Sequence, residues 1–326
     1  MKFRYILAAT ALFSLVSCNE QEVFEKEQYK NIFGFVCESD NTKQKIVSLH
    51  LEESTAYVSI SMGGSNPPTQ DVTINFDEDY SLIDDYNSSN FDTNVAKYAI
   101  PLHDSKYDID SYSCTIKAGE RLGTIPVRVR PYGMSPDSTY FIPLRIKDYD
   151  NAEMDPEKGT VLFKVGFKNH WAASTGTNYA MIGRRKTATS AEIQMPATKP
   201  VHPISGNQVR VMPGNEVFSA ETHTLEAKAM VITIGEPVEK VHPIEITPYR
   251  DLEVEMITPD NPDYDDKYTN TYAILDDGFN VYKTFLLQYY YTINGTKYHM
   301  KEELRIEYAE DKDVDEGFEV IEYVKE

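Results

Sequence analysis

From Asn31 almost to the C-terminus, apolar residues recur at every second position in short runs. The stretch "AYVSISMGG" sets Val58, Ile60 and Met62 against Tyr57, Ser59 and Ser61. "DVTINF" puts Val72, Ile74 and Phe76 on one face. "GTIPVRVRP" puts Ile125, Val127 and Val129 on one side and Arg128 and Arg130 on the other. Successive side chains of a strand point to opposite faces, so this alternation predicts half-buried β-strands. "YSCTIKAG", "TYFIPLRIKD" and "GTVLFKVGF" extend the series. Gly63-Gly64, Asn66-Pro67-Pro68, Ala118-Gly119 and Ser135-Pro136-Asp137 punctuate it. Short strands with such turn signals predict a β-sandwich. Proline cannot donate to a ladder, so Pro126 and Pro143 are expected at edges or bulges. "YSLIDDYNSSNFD" is the exception. Leu82, Ile83 and Tyr86 follow helical spacing, which predicts a short helix.

The first unit ends at Phe167 or Lys168, just before the single tryptophan, Trp171. The boundary is therefore placed between residues 168 and 169, giving units 30–168 and 169–326. The second unit is again strand-rich: "NYAMIG", "NQVRVMPG", "KAMVITIG", "HPIEITPY", "LEVEMI" and "TYAILDDG". The clearest hairpin follows, turning at Asn294-Gly295, a dipeptide suited to a two-residue turn. Before it, Phe285, Leu287, Tyr289 and Tyr291 share one face. After it, Tyr298, Met300, Glu302, Leu304, Ile306 and Tyr308 share one face. "FEVIEYV" supplies a last strand. About eight antiparallel strands suit a small up-and-down barrel, with a second sandwich as the alternative.

The N-terminus has a different grammar. Lys2 and Arg4 precede an apolar run from Tyr5 to Val16, and Ser17 stands before Cys18. A basic start, a short apolar core and a small residue describe a secretory signal over residues 1–17. The core is too short for a spanning helix, which needs about 20 residues. Leu15-Val16-Ser17-Cys18 resembles a bacterial lipobox, so Cys18 is expected to be acylated and to anchor the chain. Residues 18–29 are acidic and aperiodic, and read as a tether.

The 326-residue chain carries a formal charge of −20, or about −22 once Lys2 and Arg4 are removed. So acidic a surface repels phosphate backbones and anionic lipid, which leaves no role for nucleic acid and makes membrane attachment depend on the acyl chains. Beyond Cys18 only Cys37 and Cys114 remain, both in strand-like sequence. They suit small core positions, with a bridge between them as the alternative in an exported chain.

"IKAGERLGTIPVRVRP" followed by "SPDSTYFIPLRI" closely resembles an N-terminal domain common in Bacteroidetes lipoproteins. "TYAILDDGFNVYKTFLLQYYYTINGTKYHMKEELRIEY" resembles the C-terminal domain often paired with it. The resemblance spans nearly the whole mature chain. It implies an immunoglobulin-like sandwich followed by a lipocalin-like antiparallel β-barrel. It also implies a surface glycan-binding lipoprotein of polysaccharide utilisation, working beside an outer-membrane nutrient importer and its substrate-capturing lipoprotein. Asn19-Glu20-Gln21-Glu22 looks like the acidic signal that sends such proteins to the cell exterior.

Catalytic signatures are missing. The same N-terminal domain precedes family-18 glycoside hydrolases, but the chain has neither their D-x-x-D-x-D-x-E motif nor room for their barrel. No G-x-S-x-G, S-x-x-K, H-E-x-x-H or C-x-x-C is present, nor a phosphate-cradling glycine loop. The seven histidines are scattered and read as loop and strand-surface residues. "DKDVDEGFEVIE" places Asp311, Asp313, Asp315 and Glu322 at calcium-loop spacing, but Gly317 is one position late. "DNPDYDDKY", with Asp260, Asp263, Asp265 and Asp266, has no glycine. Both read as solvated acidic loops, and no metal or cofactor is expected.

Binding remains. An aromatic ring meets the C–H face of a sugar, while nearby polar groups take the hydroxyls. Trp171 and Tyr179 near the boundary, and Tyr289, Tyr291 and Tyr298 on the hairpin, are the candidate platforms. Core or wall packing is the alternative role for each tyrosine, and packing between domains for Trp171. Three functions follow: a glycan-binding lipoprotein, an adaptor for a partner protein of an outer-membrane complex, and a barrel carrying a small apolar ligand.

Overall fold

A computed structural model describes residues 30–308 and the short strand at 324–325. The signal, Cys18, the tether, the Asp311–Glu322 run and most of "FEVIEYV" lie outside the described residues. The chain is all-β: a sandwich followed by a closed eight-stranded antiparallel barrel. Among the described residues no helix is long and apolar enough to cross a membrane.

The sandwich uses β1 (Ile32–Phe35), β2 (Thr42–Ser48), β3 (Ser54–Met62), β4 (Val72–Glu78), β5 (Ile100–Pro101), β6 (Tyr107–Ile109), β7 (Ser113–Ile116), β8 (Leu122–Val129), β9 (Tyr140–Tyr149), β10 (Glu153–Met154) and β11 (Thr160–Lys168). One sheet has the order β10-β1-β3-β8-β6 and the other β2-β11-β9-β4-β7, with β5 beside β9. Val58, Ile60, Val72, Ile74, Phe76, Ile125, Val127 and Val129 meet in one core, as their alternation required. Pro126 lies one residue beyond the β6–β8 ladder, and Pro143 in the gap between the β5 and β4 ladders on β9. At both places one flank of the strand lacks a paired neighbour, so the missing N–H costs little.

The helix expected around Leu82 is α1 (Ser81–Phe91). Ile83 joins Ala99, Phe141 and Leu162 in a satellite cluster, with Leu82 and Tyr86 packed against it. The buried Asn87 side chain fastens α1 by donating to the Ala99 carbonyl (2.9 Å) and accepting from the Ala99 N–H (2.7 Å).

The barrel is built from β12 (Thr177–Lys186), β13 (Ile193–Ser205), β14 (Gln208–Val211), β15 (Met230–Ile234), β16 (His242–Pro248), β17 (Glu253–Met256), β18 (Thr271–Asp276), β19 (Val281–Ile293) and β20 (Thr296–Glu307). Helix α2 (Thr222–Lys228) links β14 to β15, and β21 (Val324–Lys325) pairs with β18. Strands β12 to β16, then β18, β19 and β20, pair in chain order, and β20 returns to β12. One edge of β19 is shared, with β18 along Val281–Leu286 and β17 along Tyr289–Thr292. The β19–β20 hairpin turns at Asn294 (φ 52°) and Gly295 (φ 75°), both left-handed as a type I′ turn requires.

The barrel interior is filled. Tyr179, Tyr272, Phe285, Leu287, Tyr289, Tyr291, Met300 and Leu304 are buried together. This packing removes the expectation that the barrel carries a small apolar ligand inside. One ionic group is also enclosed. The Lys199 ammonium donates to both Glu302 oxygens (2.8 and 2.6 Å), and the Tyr289 hydroxyl donates to Glu302 Oε1 (2.7 Å). Each buried charge has its partner, as a low-dielectric interior demands.

The link at 169–176 is fastened to the barrel. Asn169 donates to the carbonyls of Ser205 (2.9 Å) and Gln208 (3.0 Å) and accepts from the Trp171 and Ala172 amides. The Lys283 ammonium caps the His170 carbonyl (2.7 Å).

Candidate functional site

A surface cleft with a volume of about 520 Å³ lies at one edge of the sandwich. Its position follows from the chain path. Strand β4 in one sheet ends at Glu78, while β6 in the opposite sheet begins at Tyr107. The crossing from β6 to β7 carries Tyr112, held by its carbonyl accepting from the Phe76 N–H (3.0 Å). Asp79 accepts from the Ser81 N–H (3.1 Å), and this turn presents Tyr80 at the start of α1. A 3-10 turn at Asp104–Lys106 sets the entry to β6; the His103 ring accepts from the Ser105 N–H (3.1 Å).

Three tyrosines thereby converge on one carboxylate. Tyr107 donates to Glu78 Oε1 (2.8 Å), Tyr80 donates to Oε2 (2.5 Å), and Tyr112 also donates to Oε1. Tyr107 is buried, while Tyr80 and Tyr112 are 45% and 38% exposed. Burial and the Glu78 charge push the Tyr107 and Tyr112 hydroxyls well above the usual phenol range, so both stay protonated donors. Asp77, Asp104 and Asp108 complete the rim. Asp108 is held by Arg130 (2.6 Å), which lowers its carboxyl below the usual range, and Asp77 by Lys147 (2.8 Å). The cleft combines partly exposed phenol rings with fixed acceptors. That set can stack on an apolar face and bond hydroxyls. No group of three or more His, Cys, Asp or Glu among the described residues can hold a metal ion.

The residues singled out from sequence lie elsewhere. Tyr179, Tyr289 and Tyr291 are buried inside the barrel, because the odd positions of β12 and β19 point inward in a closed ring. The Tyr179 hydroxyl donates to the Trp171 carbonyl (2.9 Å), and the Tyr289 hydroxyl also accepts from the Gly214 N–H (2.9 Å). Tyr298 is half-buried, stacked on Tyr291 (5.2 Å between centroids) and covered by the Arg185 guanidinium (4.4 Å). Trp171 is 7% exposed and packs edge-on against His170 and Tyr272, with His50 of the sandwich 6.3 Å away. Its role is packing at the junction. None of these four buried rings is an open platform, and Tyr298 has both neighbours in place.

The histidines also differ from expectation. His170, His202, His242 and His299 are buried, not surface residues. Cys37 and Cys114 are free thiols, so no bridge joins them. Cys114 sits in the sandwich core. In the Asp260–Asp266 loop, Asp263 receives Lys186 (3.1 Å) and Tyr290 (2.6 Å), and Asp265 receives Lys301 (3.1 Å). These contacts pin part of the acidic loop to the barrel wall. Sequence reading passed over Glu78, Tyr80, Tyr107 and Tyr112. "YDIDSYS" carried a signal, two tyrosines among acids in a polar crossing, but nothing local ties them to Glu78.

Two family models match the chain, one described as an N-terminal domain over residues 24–153 and one as a C-terminal domain over residues 159–305. No curated protein matches. A solved Bacteroides ovatus protein of unknown function aligns with TM-score 0.61 at 13% identity, covering 84% of this chain and 94% of its own. A second B. ovatus protein of unknown function gives TM-score 0.59 at 13% identity, covering 87% and 93%. An auxiliary nutrient binding protein from Bacteroides thetaiotaomicron gives TM-score 0.59 at 14% identity, covering 82% and 90%. At these identities the likeness establishes a shared two-domain fold.

Proposed function

We propose that this chain, matched by paired N-terminal and C-terminal family models over residues 24–153 and 159–305, is a non-catalytic glycan-binding lipoprotein of the cell surface. The observation that carries the reading is the convergence of Tyr80, Tyr107 and Tyr112 on Glu78 in a cleft of about 520 Å³. Partly exposed rings beside fixed carboxylates are what a pyranose needs: an apolar face to cover and hydroxyls to orient. The sandwich would then be the binding domain and the filled barrel its rigid partner. The neighbour described as a nutrient binding protein supports the same class. Acylation at Cys18 would hold the protein to the outer membrane, facing the exterior. There it would pass polysaccharide to an importer and its substrate-capturing lipoprotein.

The test is affinity electrophoresis and calorimetry with plant, host and microbial polysaccharides. Binding of at least one, weakened at least tenfold in a Tyr80→Ala/Tyr112→Ala double variant, is the expected result. No binding by the intact protein, or binding untouched by the double variant, would overturn the cleft as the site.

A further inference from the structure

We propose that residues 260–266 form a pH-sensitive strap, closed on the outer barrel wall near neutral pH and released in acid by proton uptake at His299 beneath it. The strap belongs to the connection between β17 and β18. Its base is fixed. The Ile257 N–H donates to the Gln288 carbonyl (3.1 Å), and the Asn270 side chain donates to the Ile257 carbonyl (2.7 Å) and accepts from the Gln288 N–H (2.7 Å).

His299 lies in the row of side chains that the strap covers. Met300 and Leu304 of β20 point into the barrel core, so His299 faces the outer wall. It is the register partner of Tyr290 on β19 and of Lys186 on β12. Asp263 spans that row. Its Oδ2 accepts from the Tyr290 hydroxyl (2.6 Å) and its Oδ1 from the Lys186 ammonium (3.1 Å). Further along the strap, Asp265 accepts from Lys301 (3.1 Å), and its N–H donates to the Gln288 side chain (3.0 Å). Under this cover His299 is 5% exposed, and both its ring nitrogens are enclosed with no hydrogen-bond partner.

Closure therefore depends on a neutral ring. The neutral imidazole already leaves one N–H and one lone pair unbonded. A proton would make it a cation with two unbonded donors, sealed from water. The neighbouring charges do not compensate. Lys186 and Lys301 repel the cation; Asp263 and Glu192 attract it, but Asp263 is engaged by Lys186 and Glu192 by Lys301. Burial is the largest effect and holds the ring below its ordinary value of 6.5. With the strap open, the ring meets water and takes its proton near that value. Closure is thus fully favoured above pH 6.5 and is lost as pH falls below it. The other groups keep their charge over this range. The Tyr290 hydroxyl holds Asp263, and the Lys267 amide holds Asp265, below the usual carboxylate range. Tyr290 itself is pushed up to about 12, first by burial, and remains a donor. The fastenings are weak enough to yield, since the Lys186 and Asp263 side chains are 35% and 43% exposed.

The experiment is hydrogen exchange of the Asp265 amide in the mature chain at about pH 7.5 and about pH 5.0, corrected for the intrinsic rate. Protection should fall at least about fivefold in acid, with a ceiling of about thirtyfold set by the roughly 1.5 pH units below the open ring's value. His299→Phe keeps a ring against Tyr290 and cannot take a proton, so its protection should be the same at both pH values. His170 and His202 remain in that variant, so a strap that merely loosens with the whole fold would still lose protection in it. Asp263→Ala should lower the protection at least about fivefold already at the higher pH, and this arm keeps the test decisive if His299→Phe does not fold. Equal protection at the two pH values in the unmodified protein, a fall that persists in His299→Phe, or an Asp263→Ala protein as well protected as the unmodified one would each overturn the proposal.

Discussion

Arg210 of the barrel and Asp137 of the sandwich form a bidentate ion pair across the domain junction, with Nη1–Oδ2 2.7 Å and Nη2–Oδ1 2.5 Å. Arg210 is only 1% exposed, and its guanidinium lies over the Tyr249 ring (5.1 Å). The charge is therefore committed to one partner, and that partner belongs to the other domain.

Removing Asp137 should leave a buried guanidinium uncompensated. Asp137→Ala is expected to cost about 3–5 kcal/mol in urea unfolding. An Asp137→Leu/Arg210→Met double variant should recover most of it, since replacing both charges by apolar groups is often neutral. A single-variant loss below about 1 kcal/mol would show that the pair is solvated and does not fasten the junction.

The barrel tyrosines should report on stability rather than on ligand. Tyr291→Ala removes a ring buried against Tyr298 and Tyr289 and should cost about 3–5 kcal/mol. Tyr289→Phe removes only a hydroxyl, but leaves Glu302 Oε1 and the Gly214 N–H short of a partner, at about 1–3 kcal/mol. Denaturation midpoints measure both. A fully stable Tyr291→Ala protein with lost glycan binding would contradict this assignment.

Acid should weaken the fold before the carboxylates titrate. Burial lowers the pKa of His170 to about 2 and of His202 to about 4, from an unfolded value of 6.5. The unfolded chain therefore binds protons that the folded chain refuses. The stabilisation is complete above pH 6.5 and is lost as pH falls toward the folded values. Each histidine contributes a slope of about 1.4 kcal/mol per pH unit between roughly pH 6 and 5. Urea midpoints at pH 7, 6 and 5 should show the fall, and His202→Asn should reduce the slope. A flat profile in His202→Asn and wild type alike would contradict it.

Membrane attachment should rest on one residue. Cys18→Ala is expected to move the protein from the membrane fraction to the soluble fraction and to abolish fatty-acid labelling. Retention in the membrane without labelling would point to a different anchor.

Alternation along "AYVSISMGG", "DVTINF" and "GTIPVRVRP" was enough to identify the sandwich core, because a strand's side-chain period is fixed at two and one face must leave water. The Asn294-Gly295 turn and the facing runs on β19 and β20 were equally local, since a two-residue turn fixes the register of its strands. The short helix at Ser81–Phe91 could be read from the spacing of Leu82, Ile83 and Tyr86. Local pattern reaches this far because each feature depends on residues within a dozen positions of one another.

Which tyrosines meet solvent was not local. Tyr289 and Tyr291 alternate just as Tyr57 and Ser59 do, and only closure of the ring turns their face inward. Glu78 and Tyr107 lie in opposite sheets and meet because β4 ends where β6 begins, at one edge of the sandwich. Arg210 and Asp137 are 73 residues apart and belong to different units. The sequence by itself determined the strands, their faces and the division into two β units, all consequences of short-range backbone geometry. Tertiary structure alone decided which rings are walls, which are open, and which charges are paired, because those outcomes depend on long-range closure and on what each surface is packed against.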